Sequence, residues 1–341
     1  MSKRGFDPGR LDKGRPQPVI PQILSPDAPQ LARGFTEIKV LGIGGAGNNT
    51  IDRMIETGVQ GIDFIAVNSD AQALDRTLAR KRVQIGQKIT GGLGAGGDVR
   101  VGERAAESAR DALYEAVAGA DMVFITAGLG GGTGTGAAPI AASIARDSGA
   151  LTVGVVTLPF SFEGRRRRTM ALEGLEQLRP HVDSLIVIAN DRLLQTAQTA
   201  SIADSFRLAD ATLNQGIHGI ADLIITPGLI NLDFADVRTV MQHAGPALMA
   251  TGTASGEGRA RRAAEAAMTS PLLENSMRGA RSVLLNITGG PDLTLHEVNE
   301  AAGLIGDNTA ADANIIFGSV IHPRLRDEVR ITIIATGFGK E

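Results

Sequence analysis

Two stretches of this chain are so dense in glycine that they constrain everything around them. They are Gly42-Ile-Gly-Gly-Ala-Gly-Asn-Asn49 and Gly128-Leu-Gly-Gly-Gly-Thr-Gly-Thr-Gly136. Each follows a short apolar run, at 38–43 and 121–127, and each opens a segment with helical spacing, at 48–57 and 139–148. A strand that ends in glycines and turns into a helix presents backbone N–H groups with no Cβ atoms in front of them. The helix dipole adds a partial positive charge at the same place. Two such junctions at the carboxyl ends of parallel strands suit a nucleoside di- or triphosphate held between them. Two tight turns without a ligand would leave the conformational cost of so many glycines without a reason.

The segments between and after these loops repeat one pattern. Apolar runs at 63–68, 83–85, 151–158 and 184–189 alternate with helical spacing at 102–118 and 172–178. That alternation predicts βαβ units around a parallel sheet. A longer helix at about 201–222 carries Phe206, Ala209, Leu213, Ile217 and Ile220 on one face. Beyond it, strands are expected at 281–288, 313–321 and 327–336. A helix at 294–304 is expected to open on the capping box Thr294 with Glu297. Residues 1–35 read as a separate, flexible arm, rich in proline, with six basic residues against three acidic ones up to Gly34. The expected organisation is therefore an arm at 1–35, a nucleotide domain at 36–225, a smaller α+β domain at 226–338, and a short end at 339–341.

Composition removes several classes. The chain has no cysteine, which excludes disulfides and thiol chemistry. Its five histidines form no HExxH or HxH pattern, so no protein-held metal site is expected. A net charge of −3, no tryptophan and the single Tyr114 argue against nucleic-acid binding. No apolar run reaches the ~18–20 residues of a membrane span, and no signal peptide is visible. A cytoplasmic protein without direct membrane insertion is expected.

Taken alone, the first loop with Asp70 behind the second strand also fits the dinucleotide fingerprint of a nicotinamide oxidoreductase. The second loop, and the lack of an obvious acid–base pair for hydride transfer, count against it. No Walker motif is present. With no lysine in the loops, backbone amides and Mg²⁺ are expected to neutralise phosphate.

The loop Gly130-Gly-Gly-Thr-Gly-Thr-Gly136 resembles the signature of the tubulin and FtsZ superfamily of GTPases. The likeness extends through Ala66-Val-Asn-Ser-Asp-Ala-Gln-Ala-Leu74, Pro159-Phe-Ser-Phe-Glu-Gly-Arg-Arg-Arg167, Gly228-Leu-Ile-Asn-Leu-Asp-Phe-Ala-Asp-Val237, Ser270-Pro-Leu-Leu-Glu274 and Ile334-Ala-Thr-Gly-Phe338. It covers about 36–338 and is nearer to bacterial FtsZ than to eukaryotic tubulin. The resemblance implies a tubulin-like α/β fold: a parallel Rossmann-like sheet joined by a long central helix to a smaller α+β domain. It implies GTP/GDP binding with Mg²⁺, and K⁺ is a candidate monovalent cation. It further implies an assembly-dependent GTPase that polymerises head-to-tail into the cytokinetic ring of bacterial division, at mid-cell in the cytoplasm. Partners would be the chain itself and bacterial division proteins in general. Two departures stand out: the arm is longer than usual, and the variable linker and terminal peptide that contact membrane tethers do not follow Phe338. A non-hydrolysing structural filament is the remaining alternative.

Individual roles follow. The resemblance assigns nucleotide contacts to Gly44, Gly45, Ala46, Gly47, Asn48 and Asn49 in the first loop. It assigns them to Asp70 and Ala71 after the second strand. A third glycine loop, Gly91-Gly-Leu-Gly-Ala-Gly-Gly97, reads as a flexible wall near the terminal phosphate, with Gly94, Ala95 and Gly96 as its candidate contacts. In the signature loop they fall on Gly131, Gly132, Thr133, Gly134, Thr135 and Gly136. Pro159, Glu163 and Arg167 are placed on the ribose side, and Asn190 shares the base. Phe206 and Asp210 are i and i+4 on the long helix and share a face. An aromatic ring there can stack on a purine. A carboxylate can accept N1–H and N2–H of guanine, which adenine cannot offer. Arg166 and Arg168 read as solvated. Asp233 and Asp236 suit a helix start, and with Asn231 they are also the candidate catalytic group, aimed at the nucleotide of the next subunit.

Overall fold

The computed structural model describes residues 36–194, 201–226, 228, 230, 232–270, 277–322 and 325–338. The expected arm, the end at 339–341 and Asn231 lie outside the described residues.

Six parallel strands make the first half: β1 (Ile38–Ile43), β2 (Ile62–Asn68), β3 (Lys81–Gln84), β4 (Met122–Gly128), β5 (Leu151–Leu158) and β6 (Ser184–Ala189). They stand in the order β3-β2-β1-β4-β5-β6. The sheet is buried on both faces, so its central strands are apolar throughout; all six residues of β1 are buried. Successive side chains still face opposite ways. Val40, Met122 and Phe124 enter one core layer, while Leu41, Val123 and Ile125 enter the other.

Helices cover both faces. In chain order they are α1 (Gly44–Glu56), α2 (Ala71–Arg76), α3 (Gln87–Thr90), α4 (Val99–Glu107), α5 (Arg110–Val117), α6 (Gly132–Asp147), α7 (Arg165–Leu178) and α8 (Asn190–Leu193). The helix expected over 102–118 is two helices, because Ala109 leaves the helical region at φ −123°, ψ 21°. The break lets α4 press against α6 while α5 turns to bury Leu113 and Val117. That pressing depends on missing side chains: a Cβ on Gly102 would meet the backbone of Gly132 and Thr133.

The long helix α9 (Ile202–Ile225) follows, with Ser201 accepting a hydrogen bond from the N–H of Asp204 as its cap. Then come α10 (Phe234–Met241), β7 (Gly245–Ser255), α11 (Arg259–Met268), β8 (Ser282–Gly289), α12 (Leu295–Gly306), β9 (Asn314–Ile321) and β10 (Glu328–Thr336). The capping box of Thr294 and Glu297 opens α12 as expected.

β7 has no counterpart among the sequence-based expectations, and it joins the two halves. Residues 245–247 pair in parallel with β6, and residues 248–255 pair antiparallel with β10. The sheet runs on as β7-β10-β8-β9. The packing of α10 also crosses between the halves: Val237, Val240 and Met241 join the core of the parallel sheet. No described helix is long and apolar enough to cross a membrane.

Candidate functional site

Strand order reverses between β1 and β4, which are neighbours with Ile43 opposite Ala127. Connections leave to both sides there and open a crevice at the carboxyl ends. Both glycine loops fall on it, and they touch. Gly44 has φ +71°, and a Cβ on it would lie 2.9 Å from the N of Gly134. A Cβ on Gly134 would lie 2.8 Å from the carbonyl of Gly128. Neither α1 nor α6 has a side-chain cap. Their first-turn N–H groups therefore face a cleft of about 230 Å³ lined by Gly45, Ala46 and residues 131–134.

Three side chains converge at the other end of that cleft. Phe206 and Asp210 come from α9, and Asn190 from the start of α8. Asn190 is 5% exposed, and its Oδ1 has no hydrogen-bond partner. Asp210 is half-buried and accepts no hydrogen bond from the described residues. Burial pushes its pKa up to about 6, with the charge of Arg53 pulling the other way. Two acceptors at this end thus lack donors, the Asp210 carboxylate in the cleft lining and the inaccessible Asn190 Oδ1 behind it, which is costly unless a ligand or a shift of the amide supplies them. The Phe206 ring is 40% exposed and stands edge-on to Phe160 at 5.3 Å and Phe162 at 6.2 Å. Glu163 accepts a hydrogen bond from the N–H of Phe160 and pairs with Arg167 at 3.1 Å. Pro159 lines the same wall.

Residues 37–198 match the Tubulin/FtsZ family GTPase domain, and residues 245–339 match the FtsZ family C-terminal domain. Two solved structures of FtsZ from M. jannaschii superpose closely. The empty dimer is 45% identical with a TM-score of 0.86, covering 89% of this chain and 88% of that one. A point mutant of the same protein is 44% identical with a TM-score of 0.86, covering 89% and 92%. This chain belongs to the FtsZ family. The fold alone is shared with CetZ1 of Haloferax volcanii, solved as a GDP-bound monomer, at 23% identity and a TM-score of 0.78 over 89% of this chain and 95% of that one.

The FtsZ GTPase domain thus owns the first glycine loop, and membership implies GTP/GDP binding. The strand order β3-β2-β1-β4-β5-β6 is that of dinucleotide-binding sheets, so topology by itself would not have separated the two readings. Asp70, the acid of the oxidoreductase reading, caps α2 by accepting the N–H groups of Gln72 and Ala73.

Other expected contacts lie behind the cleft wall. Asn48 donates to the carbonyl of Gly42 and accepts from Asn68 at 2.7 Å, which braces the first loop against β2. A Cβ on Gly47 would sit 2.5 Å from the carbonyl of Thr126. Thr135 accepts the N–H of Gly130, fixing the second loop. A Cβ on Gly136 would collide with α4. Asn49 is exposed on α1 outside the lining. Ala71 donates its N–H to Gly92, and Asp70 bridges Leu93, so the third loop is pinned to the end of β2. Gly94 there packs beside Asp70, Ala95 is buried below Gly132, and Gly96 borders an adjoining hollow. Thr133, which does line the cleft, is within 2.7 Å of the Ser69 hydroxyl.

The candidate catalytic acids are elsewhere. Asp233 caps α10 by accepting the N–H of Asp236 at 2.9 Å, and Asp236 accepts that of Asp233 at 3.3 Å. From Asp210 to the end of α9 the helix climbs about 22 Å, and α10 starts only after that end. Arg238 of α10 donates to the carbonyl of Asp121, the residue before β4. That is the amino edge of the sheet, about 20 Å of strand from the glycine loops.

Among the described residues no group of three or more His, Asp or Glu could hold a metal ion. The GTPase family typically binds its nucleotide with Mg²⁺, an ion that keeps several waters and is held largely through phosphate oxygens.

Phe162 was not among the sequence-based candidates. Its one signal was the Phe-Ser-Phe spacing two residues apart in a turn.

Proposed function

We propose that this chain binds GTP with the guanine on Phe206, Asp210 and Asn190 and the phosphates along the two glycine loops. Hydrolysis to GDP and phosphate waits for a second copy, whose Asp233, Asp236 and Asn231 close the site. The observation that carries this reading is the distance between acids and cleft within one chain. The carboxylates at the amino edge cannot serve the nucleotide at the carboxyl edge, but a head-to-tail neighbour brings the two edges together. Such an interface is heterologous and does not close, so it extends into a protofilament. The relative from M. jannaschii that is 45% identical was solved as a dimer, which supports self-association. The filament serves as the division ring of a bacterial cell, in the cytoplasm at mid-cell.

The chemistry needs little covalent help. Each carboxylate uses one oxygen for the α10 cap and leaves the other free among the described residues. The free oxygens orient a water and take its proton as it attacks the terminal phosphorus. The bond from that phosphorus to the bridging oxygen breaks, and GDP leaves with the electron pair. Uncapped N–H groups of α1 and α6 stabilise charge on the phosphates. Magnesium carried by the nucleotide supplies further neutralisation.

Phosphate release measured against protein concentration tests the reading. A threshold followed by a steep rise is expected, because the site is completed between subunits. A straight line through the origin would mean a self-sufficient monomer and would leave Asp233 and Asp236 as capping residues only.

A further inference from the structure

We propose that Arg166 binds the terminal phosphate of the nucleotide and thereby sets the preference for GTP over GDP. The inference rests on the cleft being the GTP site and goes beyond it in naming the group that reads the third phosphate.

The direction of the bound nucleotide comes first. Phe206, Asp210 and Asn190 mark the base end, and none of them borders the adjoining hollow of about 490 Å³. The hollow shares Gly131, Gly132, Glu163 and Arg167 with the cleft. Its remaining border is Gly96, Gly97, Gly130, Arg166 and Met170. A nucleotide with its base on Phe206 therefore runs its phosphates along the glycine loops and into this hollow. The last phosphate arrives beside Arg166.

The charges come second. Among the described residues lining cleft and hollow, the cations are Arg166 and Arg167, and there is no lysine. Arg167 is already paired with Glu163 at 3.1 Å. Arg168, one residue on, is paired with Asp191 at 3.2 Å. Arg166 makes no ion pair and no hydrogen bond with any described residue. Asp98, Glu103 and Glu173, with Arg100, line a second depression that Arg166 also borders, and none of these carboxylates reaches ion-pair distance of it. A triphosphate brings several full negative charges, whereas helix starts and backbone amides supply only partial positive ones. A guanidinium is always protonated, and its planar fork takes two phosphate oxygens at once.

The position of Arg166 adds a third consideration. Residues 165–168 place four cations in the first turn of α7, where the helix dipole disfavours them. Carboxylates of the chain offset two of them, and a phosphate at Arg166 would offset a third. Arg166 is exposed, as is Arg168, so composition and exposure alone would not separate them. The hollow does.

The test compares wild type, R166A and R166K below the assembly threshold, with Mg²⁺. Affinities for GDP and for a non-hydrolysable imido analogue of GTP are read by titration. For R166A, triphosphate affinity should fall about tenfold while GDP affinity stays within about twofold, the size expected for one charge-assisted contact. R166K should recover part of the loss as a point charge. Equal loss for both nucleotides, or no loss for either, would overturn the proposal. Intact affinities with failed assembly would also overturn it and assign Arg166 to the subunit contact. A wild-type chain that bound neither nucleotide would remove the GTP reading, and this inference with it.

Discussion

The cleft and the α10 cap both use a helix start, and they finish it in opposite ways. At α1 and α6 no side chain caps the first turn, glycines expose the N–H groups, and the Asp210 carboxylate and the buried Asn190 Oδ1 at the far end of the same cleft lack donors. At α10 two aspartates satisfy each other's backbone N–H groups and leave one oxygen each without a partner among the described residues. The first arrangement is incomplete until a ligand arrives. The second is complete within the chain and has carboxylate to offer elsewhere. Since the two lie at opposite edges of one sheet, each makes chemical sense as half of a site shared between copies.

Asp233→Asn puts this contrast under the greatest strain. Asparagine caps a helix as well as aspartate, so thermal stability should hold. Turnover should nevertheless fall about a hundredfold through loss of the charge, with GTP affinity within about twofold of wild type. A collapse of GTP affinity would place Asp233 in its own cleft. Gly44→Ala attacks the other half. The new Cβ meets the N of Gly134 at 2.9 Å from a backbone at φ +71°. About 1–3 kcal/mol of stability should be lost, as in other overpacked sites, and nucleotide affinity should fall with it. Unchanged denaturant midpoint and affinity would mean the loops do not depend on that contact.

Asp210 gives a pH-dependent version. Its folded-state pKa of about 6 lies above the ordinary 3.8, so the unfolded chain ionises first as pH rises. The protonated carboxyl therefore favours the folded, ligand-free chain at low pH, and that contribution is lost between about pH 4 and about pH 6. The proposed guanine contact would have the opposite sign, because two N–H donors need the ionised form. GTP affinity should rise with pH through about 6 and then level off. Asp210→Asn should flatten that step and reduce GTP-over-ATP selectivity about tenfold. A step that survives the substitution would assign it to another group. The smallest effect is expected far from both edges. Thr294→Ala removes the α12 cap and should cost about 1 kcal/mol, seen as a lower melting temperature at unchanged GTP turnover. Altered turnover would mean that the α11–α12 side of the molecule feeds the site.

How far the site can be read without coordinates depends on the residue. Phe206 with Asp210 was legible because i, i+4 spacing places both on one helix face whatever the tertiary structure does. The α10 cap was legible for the same local reason. Asn48, Thr135 and Gly136 were not separable from true lining residues. A small polar or glycine position in a loop can face a phosphate or brace the loop from behind, and spacing is the same in both cases. β7 escaped because Gly, Pro, Ala and Thr give no strand period, and its pairing with two different strands is a long-range fact. Arg166 could not be told from Arg168, since what separates them is a hollow formed by loops more than thirty residues upstream.

Local chemistry along the chain was enough for the βαβ alternation, the two glycine junctions, the face of α9 that Phe206 and Asp210 share, and the aspartate cap. Each of these is set by period, propensity or missing Cβ atoms over a few residues. It took the folded arrangement to establish that the two loops touch, that Asn190 and Asp210 are left without donors, and that the acids lie at the far edge of the sheet. Those relations depend on strand order and on the direction of α9, which bring together or hold apart residues that local chemistry cannot place.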